Sequence, residues 1–342
     1  MIASTPSRIA AVHPLWAVEG GRVTVTGSGF SIDPLPEVRI GGQPARLTHA
    51  SPQSLAAVVP VGLEGGRTPI RVDSAPGETA YVDVGAPLAT GLHQVDSPVF
   101  DAHGNLYVTF SGSRGQQSPV AVFVVRPDGS REPFVSALPN PTSMAFGPDG
   151  FLYVSSRFDG SVHRIDATGR VTTFATDLGV ACGIAFGADG ALYVGDRSGS
   201  ILRVDGGAVT LFASLPPSVA AFHLAFAPDR SLFVTAPTLS SRDAVYRISD
   251  SGDVQVFHDG FGRPQGLAFD SGGSLYVVDA LAGSSGVYRF RPDLSGPPEQ
   301  VVAGGQLLGL AFGPDGGLVL VSADTAYRLE PTSTGLQPGS AA

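Results

Sequence analysis

Between residues 97 and 320 a short apolar run, a turn and a second apolar run recur six times: at 97–108, 143–154, 183–194, 223–234, 266–277 and 309–320. In each copy apolar and small residues alternate up to a turn at Gly104, Gly150, Gly190, Arg230, Gly273 or Gly316, and a strand of the Leu-Tyr-Val type follows. A tight turn between two such runs needs a residue at positive φ, which Asp-Gly sequences supply, so each copy reads as a hairpin of strands A and B. Further β-patterned segments follow, such as 161–166 and 244–249 (strand C) and 171–176 and 254–259 (strand D). No segment sustains an apolar repeat at helical spacing, so almost no helix is expected. The turn positions are spaced 46, 40, 40, 43 and 43 residues apart, the period of a four-stranded propeller blade.

The sixth copy has strands A, B and C over residues 308–328 but then meets Pro331-Thr332-Ser333-Thr334-Gly335, which has no strand pattern. Ring closure removes sheet edges, and the expected donor of the missing strand is residues 88–95. Residues 8–86 lack the repeat and carry short alternating strands broken by Gly and Pro (21–30, 37–50, 54–60, 68–74), the pattern of a small β-sandwich. The expected fold is therefore all-β, with a sandwich over residues 1–86, a six-bladed propeller over 87–330 and a flexible tail over 331–342. Gly85-Ala86-Pro87-Leu88 reads as a linker, which predicts a first domain that folds alone.

Composition narrows the chemistry. The 21 basic side chains are all Arg, which excludes Lys nucleophiles and Schiff bases, and a net charge of −9 disfavours nucleic acid. Cys182 is the one cysteine, so no intrachain disulfide or multi-Cys metal site can form. No apolar run reaches the ~18 residues of a membrane span. The sequence has no Walker loop, no Gly-x-Ser-x-Gly elbow and no His-Glu-x-x-His. Gly and Pro are abundant (45 and 28) beside 43% apolar residues, giving a turn-rich but core-forming chain. The Arg-only, Ala- and Gly-rich usage suggests a GC-rich bacterial genome.

In a propeller the start of strand A and the end of strand B meet at one face around the central channel. Eight residues before each turn position stand Asp96, Thr142, Cys182, Phe222, Gln265 and Leu308, followed by Ser97, Ser143, Gly183, His223, Gly266 and Gly309. The expected channel lining is Asp96, Thr142, Cys182, Phe222, His223 and Gln265. Strand B ends put Arg157, Asp196, Arg197 and Asp279 at the rim, where the arginines either hold an anionic or polar ligand or pair with the carboxylates. Cys182 and His223 read either as a thiol–imidazole pair or as a small core hydrophobe beside a backbone-satisfied His. Trp16 reads as a packing residue near the domain edge, and His103 lies at the opposite face.

The Gly20-Gly21, Gly27-Ser28-Gly29-Phe30 and Gly41-Gly42-Gln43-Pro44-Ala45 pattern resembles the IPT/TIG immunoglobulin-like family. The Asp-Gly-x-Leu-Tyr-Val signature resembles NHL repeats and the six-bladed gluconolactonase and senescence-marker-type propellers. That second resemblance implies a divalent cation, usually calcium, held on the channel axis. Asp96 stands where the family carries a Glu ligand, but Cys182 replaces an Asn and Phe222 an Asp, so Asp96 is the single metal candidate. Two functions remain open. One is a binding module without a complete metal site and without a cofactor, presenting the funnel to a small molecule, glycan or protein. The other is a lactone or ester hydrolase using calcium or another divalent cation at the channel mouth. The IPT/TIG resemblance implies an extracellular or periplasmic location.

Overall fold

A computed structural model describes residues 7–93, 96–113, 115, 118–136, 138–280 and 284–330; the 331–342 tail and the last two positions of the expected closing strand lie outside them. All regular structure among the described residues is β-strand, as the periodicity predicts. Six innermost A-strands (Val99–Phe100, Pro141–Phe146, Ala181–Phe186, His223–Phe226, Pro264–Phe269 and Leu307–Phe312) touch one another in order, and the last returns to the first. Each begins a four-stranded antiparallel blade. The six turn positions have φ of 80°, 79°, 79°, 71°, 85° and 78°, the conformation for which the repeat keeps glycine; Arg230 is the one that adopts it with a side chain.

The repeat's aromatic residues explain how blades pack. The Phe ending each A-strand meets the aromatic ring on strand B of the preceding blade edge to face: Phe146 on Tyr107, Phe186 on Tyr153, Phe226 on Tyr193, Phe269 on Phe233 and Phe312 on Tyr276, at 4.8–5.4 Å between centroids. Blade six carries Val319 where the others carry an aromatic, and Phe100 packs in the cluster that contains it. Strand C contributes an Arg that reaches the Asp of its own blade's turn: Arg164 to Asp149, Arg203 to Asp189, Arg247 to Asp229 and Arg328 to Asp315, within 2.9 Å. These exposed pairs add little stability, but they neutralise the repeating arginines away from the A-strand starts.

Blade six is closed from the N-terminal side, as expected, but by a strand placed earlier. Ala86–Thr90 pairs antiparallel with Thr325–Leu329, from Ala86 opposite Arg328 to Thr90 opposite Thr325. The four residues read as a linker thus lie at and within a junction between two strands. Pro87 fits there because the strand is the outer edge of its sheet, where a missing amide costs least. Gly85 alone separates Ala80–Val84 of the sandwich from the closing strand, and its amide donates to the Ala17 carbonyl at 2.8 Å.

The sandwich has one sheet of Arg8–His13, Arg22–Ser28, Ser54–Val58 and Leu47–Ser51. Its second sheet is continuous with blade five. Trp16–Ala17 pairs in parallel both with Ala80–Val84 and with Glu299–Ala303, the outer strand of that blade, making a sheet of nine strands. Val23, Val25, Ile40, Leu55 and Ile70 fill the sandwich core. Trp16 instead belongs to the core between blades five and six, with Val278, Val287, Val302 and Leu307. It is a packing residue, and what it packs is the junction of the two domains.

Candidate functional site at the channel mouth

Neighbouring A-strands approach most closely at Gly183, Gly266 and Gly309, each of which faces backbone of the next strand or its lead-in. A Cβ on Gly309 would lie 2.1 Å from the Asp96 carbonyl oxygen, so glycine is required at that approach. Asp96 borders cavities on both sides of this constriction. The cavity towards the A–B turns, about 460 Å³, runs between the inner strands and is edged by the six strand-terminal phenylalanines. The other, about 450 Å³, opens at the mouth predicted from register.

Asp96, Thr142, Cys182 and Gln265 line the mouth together, with Leu308, Arg157 and Arg197. Phe222 does not. Gly183 and Gly195 of blade three leave the space into which this residue packs, so it is fully buried in the core between blades three and four. His223 follows it and opens onto the cavity beyond Asp96. Asp196 and Asp279 are also turned away: both are buried and hold neighbouring loops. Asp196 accepts from the Val180 amide at 2.7 Å and from the Ser198 hydroxyl, and Asp279 accepts from the amides of Gly262 (3.0 Å) and Arg263 (2.7 Å). Both carboxylates are held against loop amides and neither lines the mouth, which corrects that expectation.

Sequence reasoning missed Arg263, Gln306, Ala280, Ala323 and the 219–221 segment, all of which line the mouth. Ala280 and Ala323 were within reach, since they occupy in blades five and six the repeat position of Arg157 and Arg197 in blades two and three. Arg263 and Gln306 come from connections between blades, where the repeat gives no register.

Burial pushes the Asp96 carboxyl up to about 6, with Arg157 pulling the other way. The Cys182 thiol is pushed up to about 12 by burial and by the Asp96 charge, against the opposing pull of Arg197, the Phe222 backbone and Arg157. It stays a thiol at neutral pH. Burial takes His223 down to about 4, with the nearby Asp96 backbone pulling the other way, so its ring is neutral. Cys182 and His223 thus face different cavities, one protonated and the other uncharged, which is no nucleophilic pair. The donor set also does not fit calcium. A hard cation takes six to eight oxygens, whereas the mouth offers one carboxylate, one hydroxyl and two amides beside three guanidiniums, and no group of three His, Cys, Asp or Glu occurs among the described residues.

The fold and this mouth define the class: an immunoglobulin-like domain built onto a six-bladed propeller with a polar funnel at its A-strand starts. The N-terminal sandwich is similar to IPT/TIG domains, whose family model matches residues 6–82, and a short match to the strictosidine synthase-like N-terminal family falls on residues 183–204 in blade three. No curated protein sequence matches the chain. Among solved structures, a Bacteroides thetaiotaomicron protein of unknown function is similar over 95% of this chain and 98% of its own (14% identity, TM-score 0.59). An auxiliary nutrient binding protein of the same organism is similar over 95% and 97% (13%, TM-score 0.55), so the two-domain architecture recurs there. A gluconolactonase from Xanthomonas campestris is similar over 71% and 87% (19%, TM-score 0.58). At these identities the likeness is one of fold.

Proposed function

We propose that this protein is a ligand-binding propeller that takes a small molecule into the mouth lined by Asp96, Thr142, Cys182, Gln265, Arg157 and Arg197, without metal and without hydrolysing it. The observation that carries the reading is the composition of the mouth: one half-buried carboxylate with a raised pKa among three arginines and, among the described residues that line it, no second acid, base or activated nucleophile. Such a set binds and orients; Asp96 is the one described lining group that could move a proton, and it has neither an activated nucleophile nor a set of metal ligands beside it. The architecture shared with a nutrient binding protein supports the same reading. No helix long and apolar enough to cross a membrane occurs among the described residues.

The test combines calcium and substrate. A site occupied at 100 times its dissociation constant adds about 2.7 kcal/mol of stability, so calcium should leave the melting temperature unchanged, and lactones and aryl esters should stay intact. A rise of several degrees that Asp96→Ala abolishes, or turnover that the same variant abolishes, would replace the binding reading by a cation-dependent hydrolase.

A further inference from the structure

The mouth is not chemically uniform around its ring. In a closed ring of six, blades two and three stand opposite blades five and six, and the equivalent positions after strand B are Arg157 and Arg197 on one side, Ala280 and Ala323 on the other. Leu308 extends the small apolar wall on blade six, and Arg263 adds a third guanidinium from the connection into blade five. Four of the repeating arginines of strand C are matched by turn carboxylates and Arg289 by Glu299, but among the described residues Arg197 and Arg263 have no carboxylate partner. Arg197 is held instead by the Val219 carbonyl, 2.7 Å from Nη2, which fixes the side chain without cancelling its charge. In a chain of net charge −9 the mouth thus carries two guanidiniums on the side of blades two and three and one, Arg263, beside Ala280, against a single lining carboxylate among the described residues.

Resting on the reading of the mouth as a binding site, we infer that its ligand is an amphipathic organic anion, with a carboxylate against Arg157 and Arg197 and an apolar body against Ala280, Ala323 and Leu308. Guanidinium forks match carboxylate geometry, and charge-assisted hydrogen bonds in a cavity are the strong ones. Asp96 is the one group of like sign facing the ligand; Cys182 is an uncharged thiol, and His223, beyond the constriction, is neutral. Lowering pH through the Asp96 titration removes the repulsion while leaving the arginines charged, so binding tightens towards acid.

The experiment uses the full chain and matched probes: hexanoate, 3-phenylpropanoate and 4-phenylbutanoate, each against its own primary amide, titrated by ligand-observed NMR and calorimetry at pH 8 and 5.5. At least one carboxylate is expected to bind about tenfold or more tightly than its amide, a typical loss for a charged hydrogen bond. Acetate, which has no apolar body, should bind more weakly than any of them. Arg197→Gln and Arg157→Gln should each erase most of the preference, Arg197→Lys should restore part of it, and Asp96→Asn should remove the pH dependence. Amides that bind as well as their acids, with competition mapped to the mouth, would overturn the anion inference and leave the binding site standing. Absence of binding by every acid and amide would overturn both.

Discussion

Asp96→Asn isolates the cost of burying one carboxylate at the centre of the ring. Its carboxyl titrates at about 6 in the folded chain against an ordinary 3.8, and each tenfold change in proton affinity corresponds to about 1.4 kcal/mol. The raised value means the folded state binds the proton more tightly than the unfolded one. This contribution favours folding fully below pH 3.8 and is lost as pH rises through 6, after which the ionised side chain weakens the fold by up to about 3 kcal/mol. The amide has the same shape and no charge. Urea unfolding of both proteins from pH 4 to pH 8 should give nearly equal stabilities at pH 4 and a variant more stable by up to about 3 kcal/mol at pH 8, the difference growing between the two pKa values. Turn carboxylates held low by local hydrogen bonds, such as Asp166 by the Thr168 hydroxyl and neighbouring amides, act equally in both proteins and cancel. A difference independent of pH, or a variant weaker at pH 8, would mean that the arginines more than offset the burial and that the reasoning fails.

Four further outcomes follow from the packing. Trp16→Ala should cost about 3–5 kcal/mol in urea unfolding, because the indole is 5% exposed and fills the core between blades five and six. Gly309→Ala should cost at least about 1–3 kcal/mol, since its methyl group would meet the Asp96 carbonyl at 2.1 Å, and the mouth should lose its ligand affinity with it. Native Cys182 should resist iodoacetamide at pH 8, where a thiol of pKa about 12 is roughly one part in 10⁴ thiolate, and react fully in urea; mass spectrometry reads both. Removing residues 1–90 strips the fourth strand from blade six and the paired Trp16–Ala17 from blade five, so the remaining chain should melt well below the whole protein by circular dichroism.

Legibility in the sequence tracked repetition. Strands, turns and blade count were readable because each feature occurs six times, so one anomaly such as Arg230 did not obscure the turn. The mouth was readable where it depends on A-strand register, which placed Asp96, Thr142, Cys182 and Gln265 together. It failed at Phe222 because the ring fits beside Gly195, and its backbone beside Gly183, in another blade, a space that no local pattern reveals. It failed at Asp196 and Asp279 because the loop amides that capture them belong to other connections. The linker reading failed because a Gly-Ala-Pro sequence is compatible with an edge strand as well as with a hinge, and only the partner, Thr325–Leu329, decides between them.

The closing strand also orders events in time. Ala86–Thr90 leaves the ribosome more than 230 residues before Thr325–Leu329, the strand it pairs with, a wait of roughly 12–50 s at ordinary synthesis rates. During that interval its edge has no sheet to join, and an unpaired strand of this kind is a template for association with other chains. The strands of the sandwich are complete in sequence by Val84, so the waiting strand follows them after the single residue Gly85. Closure then joins the first propeller strand made to the last one, so the ring is completed only when both ends of the repeat have been synthesised.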